Sequence, residues 1–380
     1  MRTAYFDNAS TTPVDTRVID KMQSCLSADG TFGNPASTTH SFGWMASEEV
    51  EWSRETVADC IGADPREIVW TSGATESDNL AIRGTVEAMR ASTGRTKIIT
   101  MESEHKAVID TCSHLDGMDV VVLKPKRSGL LCLDTLAEVL DENTLLVSIM
   151  LVNNETGVVQ PIQTITQLAH EIGTLVHSDL AQAVGKLPWT VDQLAIDLGS
   201  LSAHKVHGPK GIGALYVRRG RCQVAEQQHG GKHERGMRSG TLPAHQIVGM
   251  AEAYRLASQE TYSEIQRLDR IRDQIEATLG DLGDIQINGT RGVPHILNFT
   301  VDGVDAERLM AAMPQIAVST GSACNSATIE PSHVLQAMGL SRQQGLSSIR
   351  VSTGRMTTED DVTMLLDSLR HAISQLRSAA

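Results

Sequence analysis

Through the middle of the chain, short apolar and β-branched runs alternate with longer stretches of helical spacing. Residues 68–70, 97–100, 119–123, 145–151 and 175–177 read as strands, and two further apolar runs, 196–201 and 212–217, flank a turn of small residues. This alternation predicts a mostly parallel sheet wrapped by helices, an α/β arrangement. Ahead of it lie an extended lead-in (1–13), a helix over 14–26, a polar turn-rich loop (31–39) and a helix over 44–61. Trp44, Val50, Trp52 and Val57 are among the apolar positions of that last helix. Beyond it, residues 246–279 form a long helix of alternating charge suited to connecting two domains. The remainder reads as an α+β unit: strands at 296–301, 316–318 and 347–351, a helix over 305–313, and a closing helix from Thr358.

Composition narrows the function classes. At 380 residues the chain is long enough for two domains, and 41% hydrophobic with 21% charged residues is ordinary for a globular protein. A net charge of -13 argues against intrinsic binding to nucleic acid or to an anionic membrane. No apolar run approaches the roughly 18 residues of a membrane span. The N-terminus lacks the apolar core of a signal peptide, so a cytoplasmic location is expected. Six cysteines without a CxxC pair suggest neither a disulfide framework nor a zinc site.

The chemistry gathers where predicted strands end. Between 196–201 and 212–217 stands Ser202-Ala203-His204-Lys205-Val206-His207-Gly208-Pro209-Lys210-Gly211. Most lysines are solvated surface charges, but a tight Gly-Pro turn at a strand end can desolvate Lys205, free its proton and allow a Schiff base. Lys205 is therefore a candidate to carry pyridoxal phosphate. Asp179, at the end of the preceding strand, is either a helix cap or the carboxylate that keeps a pyridine nitrogen protonated. Gln182, three residues on, is in reach of the same ring. His105 follows the strand 97–100 and is either a helix-start residue or an imidazole against a ring face. Thr71-Ser72-Gly73-Ala74-Thr75-Glu76-Ser77 reads as a capping box or as a phosphate-binding strand-to-helix turn. Asn153-Asn154 offers amides at another strand end or simply makes a turn. Asn34, in the 31–39 loop, faces the site or serves its own turn.

Two later residues stand apart from their surroundings. Arg350 lies between Ile349 and Val351 in a strand pattern; it points outward, or it is buried and clamps a carboxylate. Cys324 sits in Thr320-Gly321-Ser322-Ala323-Cys324-Asn325-Ser326-Ala327, small residues with no apolar period, which suggests an exposed, mobile loop and a candidate nucleophile.

Taken in order, these segments resemble the cysteine desulfurases that serve iron–sulfur assembly, pyridoxal-phosphate enzymes related to class V aminotransferases. The likeness runs from Tyr5-Phe6-Asp7-Asn8-Ala9-Ser10-Thr11-Thr12-Pro13 through Gly231-Lys232-His233-Glu234-Arg235-Gly236 and Ser239-Gly240-Thr241 to Ser348-Ile349-Arg350. It implies an aspartate aminotransferase-like fold: a large cofactor domain (14–255) and a small α+β domain (256–380) joined by residues 1–13. It implies that Lys205 binds the cofactor, Asp179 pairs with its ring nitrogen, and Gln182 and Asn154 meet its ring oxygen. His105 would stack on the ring and join proton transfer, while Ala74, Thr75, Ser202 and His204 hold the phosphate. Thr241 would reach the cofactor of the other protomer in a homodimer. Arg350 with Asn154 would bind the carboxylate of L-cysteine, and Cys324 would take the sulfur as a persulfide for an acceptor protein, leaving L-alanine. The long stretch after Cys324 resembles the flexible-loop subgroup. Leu180-Ala181, His207 and Lys232 depart from the commonest residues at their positions. The chain ends at Ala380, without the scaffold-docking extension of housekeeping relatives. That leaves acceptors for tRNA thiolation or DNA phosphorothioation open beside iron–sulfur assembly, and selenocysteine lyase as an alternative activity.

Overall fold

The computed structural model describes residues 2–320 and 330–378. After β1 (Ala4–Tyr5), the alternating middle of the chain supplies seven strands: β2 (Ile68–Thr71), β3 (Lys97–Met101), β4 (Asp119–Leu123), β5 (Thr144–Ser148), β6 (Leu175–Asp179), β7 (Leu198–Ser202) and β8 (Gly213–Val217). They form one sheet in the order β2-β8-β7-β6-β5-β3-β4. Pairings from β7 through β4 are parallel, whereas β8 runs against both β7 and β2. The strands β2, β5, β6, β7 and β8 are buried at every position, which is why they read as continuous apolar runs. The ends of β2, β3, β5, β6 and β7 therefore share one sheet edge. Connections leave toward β4 on one side and toward β6 and β7 on the other, so that edge contains the switch point where open α/β sheets bind ligands.

Later strands are β9 (Ile285–Ile287), β10 (Ile296–Val301), β11 (Ile316–Ala317) and β12 (Ser348–Ser352). They give an antiparallel sheet β12-β10-β9, while β11 pairs in parallel with β1. Phe6, Phe299, Ile349, Leu365 and Leu369 share a core there, separate from the one around Trp70, Tyr216 and Tyr254 at the large sheet. The helix Ala244–Leu282, 39 residues long, enters both. Its first half buries Ile247, Met250 and Tyr254 in the larger core, and its second half buries Leu268, Ile271, Ile275 and Leu279 in the smaller.

The helix predicted over 44–61 begins earlier, at Ser41, where the His40 ring accepts from the Gly43 amide at 3.2 Å. Val50 and Val57 are buried as the spacing implies. Trp44 and Trp52 are not; they are 59% and 41% exposed, beside exposed Phe32, Phe42 and Met45. No helix among the described residues is long and apolar enough to cross a membrane.

Candidate active site

Lys205 follows β7 in a turn closed by the Val206 and Gly208 amides, which both donate to the Ala203 carbonyl. A side chain at Gly208 would meet Ala203 Cβ at 2.9 Å, so this turn requires glycine. Lys205 Nζ donates to the Ala9 and Ser10 carbonyls, each at 2.7 Å. Burial, and secondarily the charge of Arg350, push its pKa down to about 8. An amine held by neutral carbonyls, with a cation nearby, gives up its proton near neutral pH.

Lys205 opens onto a cavity of about 960 Å³ at the shared sheet edge. On one wall the helix Ala74–Thr93 starts at Gly73 with no side-chain cap, so its first-turn amides are left for a ligand. The capping-box reading of this turn does not hold; Glu76 instead accepts from the Ser72 amide at 2.6 Å and from Arg238 at 2.8 Å. On the same cavity, Ser202 Oγ is buried without a partner among the described residues. His204 completes the wall, bonded to Thr11 Oγ1 at 3.1 Å and pushed down to about 4 by burial and then by Lys205, which leaves its ring neutral.

The floor is acidic. Asp179 closes β6 and accepts from the Ala181 amide at 2.8 Å, so it is both a cap and a cavity wall. Burial raises its pKa, and the charges of His105 and Lys205 oppose that rise. Asp78 and Glu104, behind it, are pushed well above the ordinary carboxylate range by burial. Asp179 is thus the carboxyl of this group whose neighbours favour the charged form. His105 is a helix-start residue whose ring accepts from the Ala107 amide at 3.1 Å, and it also lines the cavity. Gln182 donates to the Ala9 carbonyl at 2.7 Å, and Asn154 Oδ1 is buried without a partner among the described residues.

Arg350 is buried, not outward-facing, with its side chain 5% exposed. It reaches Asp7 at 2.7 Å, Ser10 Oγ at 2.6 Å and the Asn154 carbonyl at 2.9 Å. The cavity therefore brings together Lys205, Asp179, Gln182, His105, Asn154, Ala74, Thr75, Ser202, His204 and Arg350. Asn34 is elsewhere, accepting from the Ala36 amide in its own turn. Thr241 is exposed and does not line this cavity. Cys324 lies outside the described residues; Ser319 before it and residues 330–333 after it border the cavity.

Asp7, Ser10, Glu155 and His333 went unnoticed in the sequence. Glu155 is bonded to Ser332 and pushed up to about 7 by burial, and His333 Nε2 donates to the Glu104 carbonyl at 2.9 Å. The available signal for Asp7 was Arg350 itself, because a strand arginine flanked by isoleucine and valine needs a carboxylate. Two of the sequence departures fall at left-handed backbone positions, His207 at φ 62° and Lys232 at φ 57°. At His207 the strain is offset by bonds to Thr12 and Pro13.

An amine poised to deprotonate, a floor carboxylate, an uncapped helix start and an unpartnered serine are what a phosphorylated pyridine aldehyde requires, so the residues fit pyridoxal phosphate. Comparison with known proteins agrees. The aminotransferase class-V family model matches residues 4–365. The cysteine desulfurase IscS of Pectobacterium atrosepticum is 52% identical over 378 residues, covering 98% of this chain and 93% of that protein. A solved NifS-like protein superposes with a TM-score of 0.91 at 35% identity, covering 98% of this chain and all (100%) of the other. SspA in complex with cysteine superposes with a TM-score of 0.81 at 37% identity over 92% of this chain and 98% of that one. The chain belongs to the class-V aminotransferase family and, within it, to the pyridoxal-phosphate-dependent cysteine desulfurases.

Proposed function

We propose that this cavity removes sulfur from L-cysteine, leaving L-alanine and a persulfide on Cys324 that passes to an acceptor protein. The observation that carries the reading is the convergence on one cavity of Asp179 from β6, Arg350 from β12 and Lys205 from the turn after β7. Pyridoxal phosphate, when bound, draws electrons from the α-carbon of the amino acid joined to it. The amides at Ala74 and Thr75, the Ser202 hydroxyl and His204 hold its phosphate, and Asp179 faces its ring nitrogen. Gln182 and Asn154 supply polar groups to the ring oxygen, and His105 lies against the ring and helps move protons.

Arg350 takes the substrate carboxylate, with the Asn154 side chain beside it; Asp7 and Ser10 hold the guanidinium in place beforehand. Lys205, with a pKa of about 8, has roughly a quarter of its amine neutral at pH 7.5, against about one part in a thousand for an ordinary lysine. It can therefore take the substrate's α-proton and return one to carbon. The Cys324 thiolate attacks the substrate sulfur; a sulfur–sulfur bond forms as the bond between sulfur and carbon breaks.

A second copy of this chain completes the site. Thr241 is exposed just ahead of the helix Ala244–Leu282, and the Phe32 and Phe42 rings, 5.2 Å apart, form an exposed aromatic pair of the kind a homodimer covers. In the dimer Thr241 reaches the other copy's phosphate. Sedimentation at micromolar concentration reads this directly, and a monomer refutes it. The downstream pathway is iron–sulfur assembly or another thiolation route, decided by the acceptor.

The decisive experiment incubates the cofactor-loaded protein with L-cysteine and a reductant and measures sulfide and alanine. Equal amounts of both are expected. Cys324→Ala abolishes persulfide formation, and Lys205→Ala lowers turnover by more than about a thousandfold. Alanine production unaffected by Cys324→Ala would refute the sulfur-transfer role.

A further inference from the structure

Behind Gln182 stands a second lysine that the mechanism above does not use. Lys186 Nζ lies 2.8 Å from Gln182 Oε1, and Gln182 Nε2 lies 2.7 Å from the Ala9 carbonyl. That same carbonyl accepts from Lys205 Nζ at 2.7 Å. Chemistry alone fixes the amide's orientation at both ends. A carbonyl only accepts, so the Gln182 atom facing Ala9 must be nitrogen; the oxygen then faces Lys186, which donates to it. The Gln182 N–H is thereby directed to the carbonyl that Lys205 also bonds, and the side chain lines the cavity.

Nothing about stability calls for a lysine here. Burial pushes its pKa down to about 7, and its charged neighbours, Lys205 and Arg350, repel it. His204 and His207, pushed down to about 4, and His295, pushed well below its ordinary value, are neutral around it. Lys186 also borders a small internal cavity of about 40 Å³, whose lining includes a single carboxylate, Glu264. A desolvated cation without a close counter-charge is costly, and apolar replacement at such a place is commonly neutral or stabilising.

We propose that Lys186 is a positioning residue whose ammonium locks the Gln182 amide so that it presents a donor, and not an acceptor, beside Lys205. This rests on the reading that Gln182 meets the ring oxygen of pyridoxal phosphate. Without Lys186 the Ala9 carbonyl alone holds that orientation, so the amide swings more freely and presents its donor to that oxygen less firmly. Arginine keeps a donor for Oε1; methionine does not.

The test uses the full-length protein with Lys186→Met, Lys186→Arg, Gln182→Ala and the Lys186→Met/Gln182→Ala double variant. The readouts are the Kd for pyridoxal phosphate, the pH midpoint of the cofactor's visible absorption band, and the melting temperature of the cofactor-free protein. Lys186→Met is expected to weaken cofactor binding roughly five- to tenfold, the worth of about one hydrogen bond. It should raise the pH midpoint by roughly half a unit to one unit, since the ring oxygen's charged form loses a donor. The melting temperature should hold or rise, and Lys186→Arg should recover most of both losses. In the Gln182→Ala background, Lys186→Met should change neither affinity nor midpoint further. A full additional loss in that background, or a melting temperature that falls in step with affinity, overturns the positioning role. If Lys186→Met does not fold, the role is likewise overturned, and Lys186→Arg then separates a need for charge from a need for bulk. Wild-type affinity and midpoint in Gln182→Ala would instead remove the ring-oxygen reading beneath it.

Discussion

Two buried polar clusters in this molecule are built in opposite ways. Near the start of β2, Arg54 and Glu234 form an ion pair in which nearly every group is spent. Arg54 donates to both Glu234 oxygens at 2.7 and 2.9 Å and to the Ile68 carbonyl at 2.9 Å, while Glu234 also accepts from the Trp70 amide at 2.8 Å. At the sheet edge the opposite holds: Ser202 Oγ, Asn154 Oδ1 and Arg350 Nε are buried without partners among the described residues. Buried polar atoms left unpaired cost free energy, and a fold retains them where a ligand later supplies the partner. A closed cluster serves the fold, and an open one serves a ligand. Mutation should separate the two, because removing a closed group costs stability and removing an open one costs binding.

The largest effect is expected in the closed cluster. Glu234→Ala removes the buried partner of Arg54, itself 3% exposed, and leaves it only the exposed Glu51 at 3.1 Å, so unfolding stability should fall by about 3 kcal/mol, the low end for a broken buried pair. Chemical denaturation of the cofactor-free protein measures this. Cofactor affinity, corrected for the unfolded fraction, should stay within about twofold. A loss of affinity with unchanged stability would erase the distinction between the clusters.

The same contrast marks what the sequence made legible. Lys205, Asp179, His105 and Asn154 follow strand ends, and strand ends are visible as the last positions of apolar runs. Their gathering on one edge then follows from a parallel sheet. The closed pair was not visible: Arg54 and Glu234 are 180 residues apart, and nothing in local periodicity says that a helix residue will meet a loop carboxylate. Asp7 and Arg350, 343 apart, were hidden in the same way. The reversed direction of β8 was equally illegible, since a buried strand reads alike in either sense. Trp44 and Trp52 misled for another reason. Helical spacing marks an apolar face without saying whether the chain itself or a second copy covers it.

A middle-sized effect concerns the amine at the open cluster. Because burial lowers the Lys205 pKa, its neutral form grows as pH rises and is half populated near 8. The rate at which cofactor-free protein attaches pyridoxal phosphate should thus climb about tenfold per pH unit below that point and level off above about pH 9. Stopped-flow absorbance follows it. A rate still climbing toward pH 10 would mean that the amine is solvated like a surface lysine, and that the edge is less closed to water than its geometry implies.

The smallest effect gives the cleanest comparison. Ser202 Oγ has no partner among the described residues, so Ser202→Ala removes an unsatisfied buried hydroxyl and adds no cavity beyond one oxygen. Melting of the cofactor-free protein should therefore hold or rise slightly, the reverse of the Glu234→Ala result. The cofactor-loaded protein should lose one phosphate contact, and pyridoxal phosphate should bind roughly five- to tenfold more weakly. The loss should depend on the phosphate, so pyridoxal without it should bind both forms alike. Were the variant destabilised without cofactor and unaltered in affinity, Ser202 would belong with Arg54 and Glu234 as a fold residue, and an unpaired atom at this edge would no longer mark a ligand's place.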